Sequence, residues 1–125
     1  MIKVQNFRKF DVYNRSIDLS MTVKQVINNC KANLTEREVG VLSKNAVTIP
    51  NKVAAAIGQV NMKVRFKKLN EAKSTVIQLQ TIMLDLKKRK KIDEQLWQKV
   101  DEYSIEVMKL LNGYFKWMGK RKRNI

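Results

Sequence analysis

The sequence contains no histidine, one cysteine, one proline and only four glycines in 125 residues. Without histidine the commonest general base and metal ligand is missing, and every Ser-His or Cys-His dyad goes with it. A single cysteine, Cys30, can form neither an internal disulfide nor a thiolate metal cluster, which disfavours a disulfide-stapled secreted scaffold. Gly40, Gly58, Gly113 and Gly119 stand apart from one another, so no glycine-rich phosphate loop is present. No stretch approaches the roughly 18 consecutive apolar residues of a membrane span, and Met1-Ile2-Lys3-Val4-Gln5-Asn6 lacks the apolar run of a signal peptide. The expectation is a cytoplasmic, non-enzymatic protein without a cofactor, metal or membrane anchor.

Acidic residues are also scarce. Eleven Asp plus Glu face 26 Lys plus Arg, a formal net charge of +15. Such an imbalance creates self-repulsion that a polyanion would relieve, and nucleic acid is the favoured polyanion. The apolar fraction, 44%, is that of an ordinary globular chain and argues against general disorder. A chain of this length buries about two-thirds of its unfolded surface in a single core.

Four amphipathic helical segments follow, over about 11–30, 36–58, 62–88 and 94–118. In the first, which Asp11 is expected to cap, Val12, Leu19, Val23, Val26 and Cys30 share a face, with one double step between Val12 and Leu19. Tyr13, Ile17, Met21 and Ile27 widen it. The second opens on Thr35-Glu36-Arg37-Glu38, a capping box in which Thr35 and Glu38 satisfy each other's backbone donors. Val39, Leu42, Ala46, Ile49, Val53, Ala56 and Val60 then keep alternating steps of three and four, which predicts one buried seam. Pro50 interrupts that helix's hydrogen-bond ladder, Gly58 ends it, and Asn61 caps the next.

The third segment carries Met62, Phe66, Leu69, Ala72 or Lys73, Val76, Leu79, Met83 and Leu86 in the same rhythm and runs into Lys87-Lys88-Arg89-Lys90-Lys91. Asp93 caps the fourth, whose expected seam is Leu96, Val100, Tyr103, Val107, Leu110, Tyr114 and Trp117. Trp97, Leu111, Phe115 and Met118 broaden it. The pattern predicts an all-α, antiparallel up-down four-helix bundle over residues 1–119 and a fraying basic tail over 120–125. The broad apolar faces of the first and fourth helices predict further burial between subunits.

Three segments carry a family resemblance. Asn6-Phe7-Arg8-Lys9-Phe10-Asp11-Val12-Tyr13 resembles the F-R-x-L-x-V-W opening of the 23S rRNA intervening-sequence proteins. The segment from Glu36 to Ala54, centred on Ala46-Val47-Thr48-Ile49-Pro50, resembles their E-x-x-G-L-x-x-Q-x-R-R-A-x-x-S-I-P-x-N-I-A-E-G stretch. Leu110-Leu111-Asn112-Gly113-Tyr114-Phe115-Lys116 resembles their closing M-L-x-G-L-I-K. The chain departs from the pattern at Ala54-Ala55-Ala56, where the family's A-E-G stands, and at Lys44-Asn45, where it has paired arginines. The same superfamily holds the accessory variability determinant (Avd) proteins of diversity-generating retroelements, to whose L-G-G-W-L-K ending Leu111-Asn112-Gly113-Tyr114-Phe115-Lys116 is loosely similar. The resemblance implies a four-helix bundle assembled as a homopentameric barrel. It further implies, on the Avd side, binding to structured RNA and to the element's reverse transcriptase.

The cations are unevenly placed. Those expected to contact phosphates are Lys63, Arg65, Lys67, Lys68, Lys87, Lys88, Arg89, Lys90, Lys91, Lys116, Lys120, Arg121, Lys122 and Arg123. In an antiparallel bundle they would gather at both poles and join along the exposed side of the third helix. Such a surface binds nucleic acid with little base discrimination, RNA being favoured and DNA an alternative. Five acids, Asp93, Glu94, Asp101, Glu102 and Glu106, concentrate on the fourth helix and read as solvated surface groups. Trp97, Tyr103 and Tyr114 read as core or interface, and Trp117, beside Lys116 and Lys120, as the one aromatic open to base stacking. Gly113 reads as a site of close helix packing, and Cys30 as a small buried apolar residue.

Overall fold

In a computed structural model, residues 8 and 10–123 are described, the side chains of 119–123 excepted. The chain forms α1 (Asp11–Cys30), a short 3-10 turn (Lys31–Asn33), α2 (Glu36–Ile57), α3 (Met62–Lys88) and α4 (Glu94–Arg123). No strand occurs among the described residues. Most boundaries have a local cause. Thr35 Oγ1 accepts from the Glu38 amide at 3.1 Å while Glu38 accepts from the Thr35 amide at 2.9 Å, so both halves of the capping box form. Asn61 accepts from the Val64 amide to start α3, and Asp93 from the Leu96 amide to start α4. Gly58 caps the end of α2.

Two boundaries depart from the sequence reading. Phe10, not Asp11, is the N-cap of α1, and it makes no side-chain cap bond; Asp11 sits in the first turn, where its charge still favours the helix dipole. The backbone of α4 continues as helix through Arg123, so residues 120–123 belong to α4 and are no separate tail.

The helices pack as a four-cornered group in which α1 and α3 each contact both α2 and α4. The start of α2 meets the end of α3 through Glu38, Arg89 and Lys91, and the end of α2 meets the start of α3 through Ile57 and Arg65. Phe66 and Phe115 approach at 5.6 Å, and Phe10 and Tyr114 at 5.9 Å.

All of Val12, Leu19, Val23, Val26 and Cys30 are buried, and the double step in α1 is filled by Ser16, whose hydroxyl donates to the Tyr13 carbonyl. The α2 seam is buried from Leu42 to Ala56, with Pro50 inside a helix that continues to Ile57. Val60 is 48% exposed because Gly58 ends the helix before that step of the repeat. On α4 the buried line is Val100, Ser104, Val107, Leu111 and Met118. Val100 and Val107 belong to the expected seam, whereas Ser104, Leu111 and Met118 lie one position on from Tyr103, Leu110 and Trp117, which leaves Tyr103 and Leu110 half-buried and Trp117 exposed. An alanine side chain at Gly113 would meet nothing within 4 Å, so this glycine does not mediate close packing inside the chain.

Candidate nucleic-acid interface

The basic run after α3 is built on a chain reversal. Arg89 is the C-cap. The Lys90 amide donates to the Lys87 carbonyl at 2.9 Å and the Lys91 amide to the Leu86 carbonyl at 3.0 Å. This is the Schellman pattern, and it puts Lys90 at a left-handed φ of 58° where glycine is the usual residue.

The five cations of this run have different fates. Arg89 donates to Asp85 and to Glu38, both at 2.7 Å, and Lys91 donates to Glu38 at 2.9 Å. Glu38 therefore serves the α2 capping box and two cations at once. The Thr35 amide, then Lys91 and Arg89, hold its carboxyl down to about 2. Glu38 first, and Asp85 next, raise the Arg89 guanidinium above its ordinary value. Lys87 lies 3.8 Å from the centroid of the Trp97 ring and 3.8 Å from Glu94, a cation–π contact beside a weak ion pair. Lys88 and Lys90 are exposed and make no ion pair with another described residue. Within the run the freely presented charge is thus Lys88 and Lys90.

Arg65 is a correction at the other pole. It is fully buried and cannot reach a phosphate. One guanidinium nitrogen donates to the Tyr114 hydroxyl at 2.8 Å, and the other to the carbonyls of Ile57 and Gln59. These carbonyls belong to the end of α2 and the turn after it, whose exposed oxygens attract a cation, so Arg65 ties that turn to α4. Burial raises the Tyr114 hydroxyl's pKa, with Arg65 opposing the shift. Sequence periodicity could have flagged the position: Arg65 lies four residues before Leu69, on the buried side of α3.

Around it, Lys63, Lys67 and Lys116 are exposed and Lys68 is half-exposed, and none makes an ion pair with another described residue. Tyr114 and Trp117 rings lie 5.4 Å apart, with Trp117 37% exposed. The side chains of Lys120, Arg121, Lys122 and Arg123 lie outside the described set.

A second correction concerns the path between the poles. The most outward residues of α3 are Lys63, Lys67, Asn70, Ser74, Ile77, Thr81, Leu84 and Lys88, spaced alternately by four and three. The stripe is charged only at its ends; Ile77 and Leu84 in its middle are 47% and 41% exposed. Lys73, the one cation of the mid-helix, is half-buried and off this line. The exposed side of α3 is consequently no continuous basic track.

Sequence reasoning passed over the seam between α2 and α3. There Lys44, Thr48, Thr75 and Gln78 line a groove with Asn45, and Glu71 at its far end is held by Lys52 at 2.6 Å, which lowers the Glu71 pKa. The available signal was Asn45 itself, a polar residue three after Leu42 and four before Ile49, at core spacing. Among the described residues no group of three or more His, Cys, Asp or Glu side chains could hold a metal ion, and no helix is long and apolar enough to cross a membrane.

Comparison with known proteins finds no matching family model, no matching curated protein and no matching solved structure.

Proposed function

We propose that this chain is a non-enzymatic nucleic-acid-binding scaffold, an antiparallel up-down bundle that self-associates as a homopentamer. Its role is that of an Avd-like accessory protein, holding structured RNA and the reverse transcriptase of a diversity-generating retroelement. The observation that carries the reading is the shortage of internal partners for the charge. Among the described residues, ion pairs engage Arg15, Lys52, Lys87, Arg89 and Lys91. Lys63, Lys67, Lys88, Lys90 and Lys116 are left on the surface, where phosphates would release condensed counterions. The antiparallel course is supported by the end-to-start contacts of α2 with α3 and by Phe66 against Phe115. Self-association is supported by the uncharged α3 stripe around Ile77 and Leu84, which mutual repulsion would otherwise keep apart from a second copy.

The alternative, a structural protein-interaction module of the rRNA intervening-sequence type, draws on the same exposed Ile77 and Leu84. A salt titration of RNA binding, paired with light scattering on the same sample, separates the two. The scaffold reading expects a particle of five chains and an affinity that falls steeply with salt, by ~0.7–0.9 log units per log unit of salt for each phosphate contact. Negligible RNA affinity at physiological salt would favour the module.

A further inference from the structure

The groove between α2 and α3 is lined at its middle by Val41, Lys44, Asn45, Thr48, Thr75 and Gln78. It runs on without a break in lining: Val41 and Gln78 also border the section toward Thr35 and Arg89, and Thr75 the section toward Lys52 and Lys67. Along α3 this is about 33 Å at roughly 1.5 Å of rise per residue.

Asn45 is the anomaly. It is only 4% exposed, and its side-chain amide nitrogen is buried without a hydrogen-bond partner. A donor in that state is unfavourable by about 1–3 kcal/mol. In a helix face otherwise filled by Leu42, Ala46 and Ile49, an apolar side chain would avoid the penalty. Beside it, Lys44 is exposed and makes no ion pair with another described residue. The carboxylates bordering the groove are already matched: Glu38 by Lys91 and Arg89, Asp85 by Arg89, Glu71 by Lys52. An occupant therefore meets amide donors, hydroxyls and an unmatched ammonium, with Val41 the one apolar wall of the middle section.

We infer that this groove is a seat for the sugar–phosphate backbone of an unpaired RNA strand, with Lys44 on a phosphate and the Asn45 amide donating to a backbone oxygen. Contacts from Lys, Asn, Gln and Thr to phosphate and sugar are the position-fixing, sequence-blind contacts of nucleic-acid complexes. A peptide would bring apolar side chains for which the middle section has one wall. The inference rests on the nucleic-acid reading and adds a site that the polar clusters of lysine do not include.

The test uses the full chain and a fluorescein-labelled oligouridylate. Asn45→Leu removes the donor without changing charge. It should weaken binding about tenfold, the worth of a hydrogen bond to a charged acceptor, and leave the salt slope unchanged. Because it also removes a buried unmatched amide, its urea midpoint should equal or exceed that of the parent. Lys44→Gln should weaken binding and reduce the salt slope by about 0.7, one phosphate on a single strand. In the parent, the Asn45 side-chain amide signals should shift on adding the oligonucleotide and stay in place with inorganic phosphate alone. RNA binding by both variants equal to the parent, or Asn45 signals that do not move while RNA binds, overturns the groove and leaves the scaffold reading standing. Failure of the parent itself to bind overturns that reading as well.

Discussion

Lys90 offers a perturbation in which stability and binding should move in opposite directions. Its φ of 58° is the left-handed conformation, and among the described residues it is the sole non-glycine with a positive φ. A side chain there suffers its Cβ against the following carbonyl, at roughly 1–2 kcal/mol. Glycine would relieve that strain while losing about 0.5–1 kcal/mol more backbone entropy on folding. The net expectation for Lys90→Gly is a gain of about 0.5–1 kcal/mol, or about 2–4 °C in melting temperature for a chain of this size. The Schellman bonds at Lys90 and Lys91 run through backbone amides and persist in the variant. Binding should fall, because Lys90 is one of the two cations of the run from Lys87 to Lys91 that make no ion pair with another described residue. The salt slope for RNA should drop by ~0.7–0.9, one phosphate contact. Lys90→Asn, which tolerates the left-handed region but carries no charge, should copy the binding loss. Lys90→Arg should keep both the parent slope and the parent strain. Thermal unfolding and a salt titration of RNA affinity on the same preparations read both quantities. A Lys90→Gly variant less stable than the parent would refute the strain argument, and one with an unchanged slope would refute Lys90 as a phosphate contact.

Three further outcomes follow from the geometry. Glu38 has a folded pKa of about 2 against an ordinary value of 4.5, so its contribution is complete above about pH 4.5 and is lost as pH falls toward 2; Glu38→Gln should flatten the acid side of a plot of urea midpoint against pH. Arg65→Ala should destabilise the chain by about 2–4 kcal/mol in urea denaturation, since it strips donors from two carbonyls and the Tyr114 hydroxyl and leaves a cavity. Gly113→Ala meets open space at an ordinary helical position, and should raise thermal stability by about 0.5–1 kcal/mol.

Helix positions were legible where the start carries its own chemistry, as at α2, α3 and α4, whereas α1 starts on Phe10 without a side-chain cap. Thr35 with Glu38, Asn61 and Asp93 all do in the structure what their spacing announces, and these bonds are made within one turn of the chain. Periodicity placed the core of α1, α2 and α3 for a related reason: a helix has one face toward its neighbours, and apolar residues reveal it. On α4 it placed Val100 and Val107 and missed by one position at Ser104, Leu111 and Met118, because apolar and aromatic residues there cover about half of the circumference. On such a helix the buried centre is chosen by the neighbours, and Ser104 can take a core place that no hydropathy pattern would give it.

Charge was legible as a total and poorly legible as a surface. Lys87 through Lys91 are consecutive in sequence, yet Glu38, an α2 residue some fifty positions away, binds two of the five, and Trp97 engages a third. Arg65 is the sharper case. Only its place four residues before Leu69 separates it from Lys63 and Lys67: two residues, about half a turn of helix, put it inside while they stay outside, and the carbonyls after α2 supply acceptors that a run of basic residues cannot predict. The same geometry empties the middle of the outward α3 stripe. In a chain of net charge +15, the outward α3 stripe carries its ammonium groups at its two ends and is neutral at Asn70, Ser74, Ile77, Thr81 and Leu84 between them, so that helix presents two surface types. Phosphate contact requires the first. Approach of another protein surface, or another copy, requires the second, because repulsion between like charges would oppose it along the whole helix.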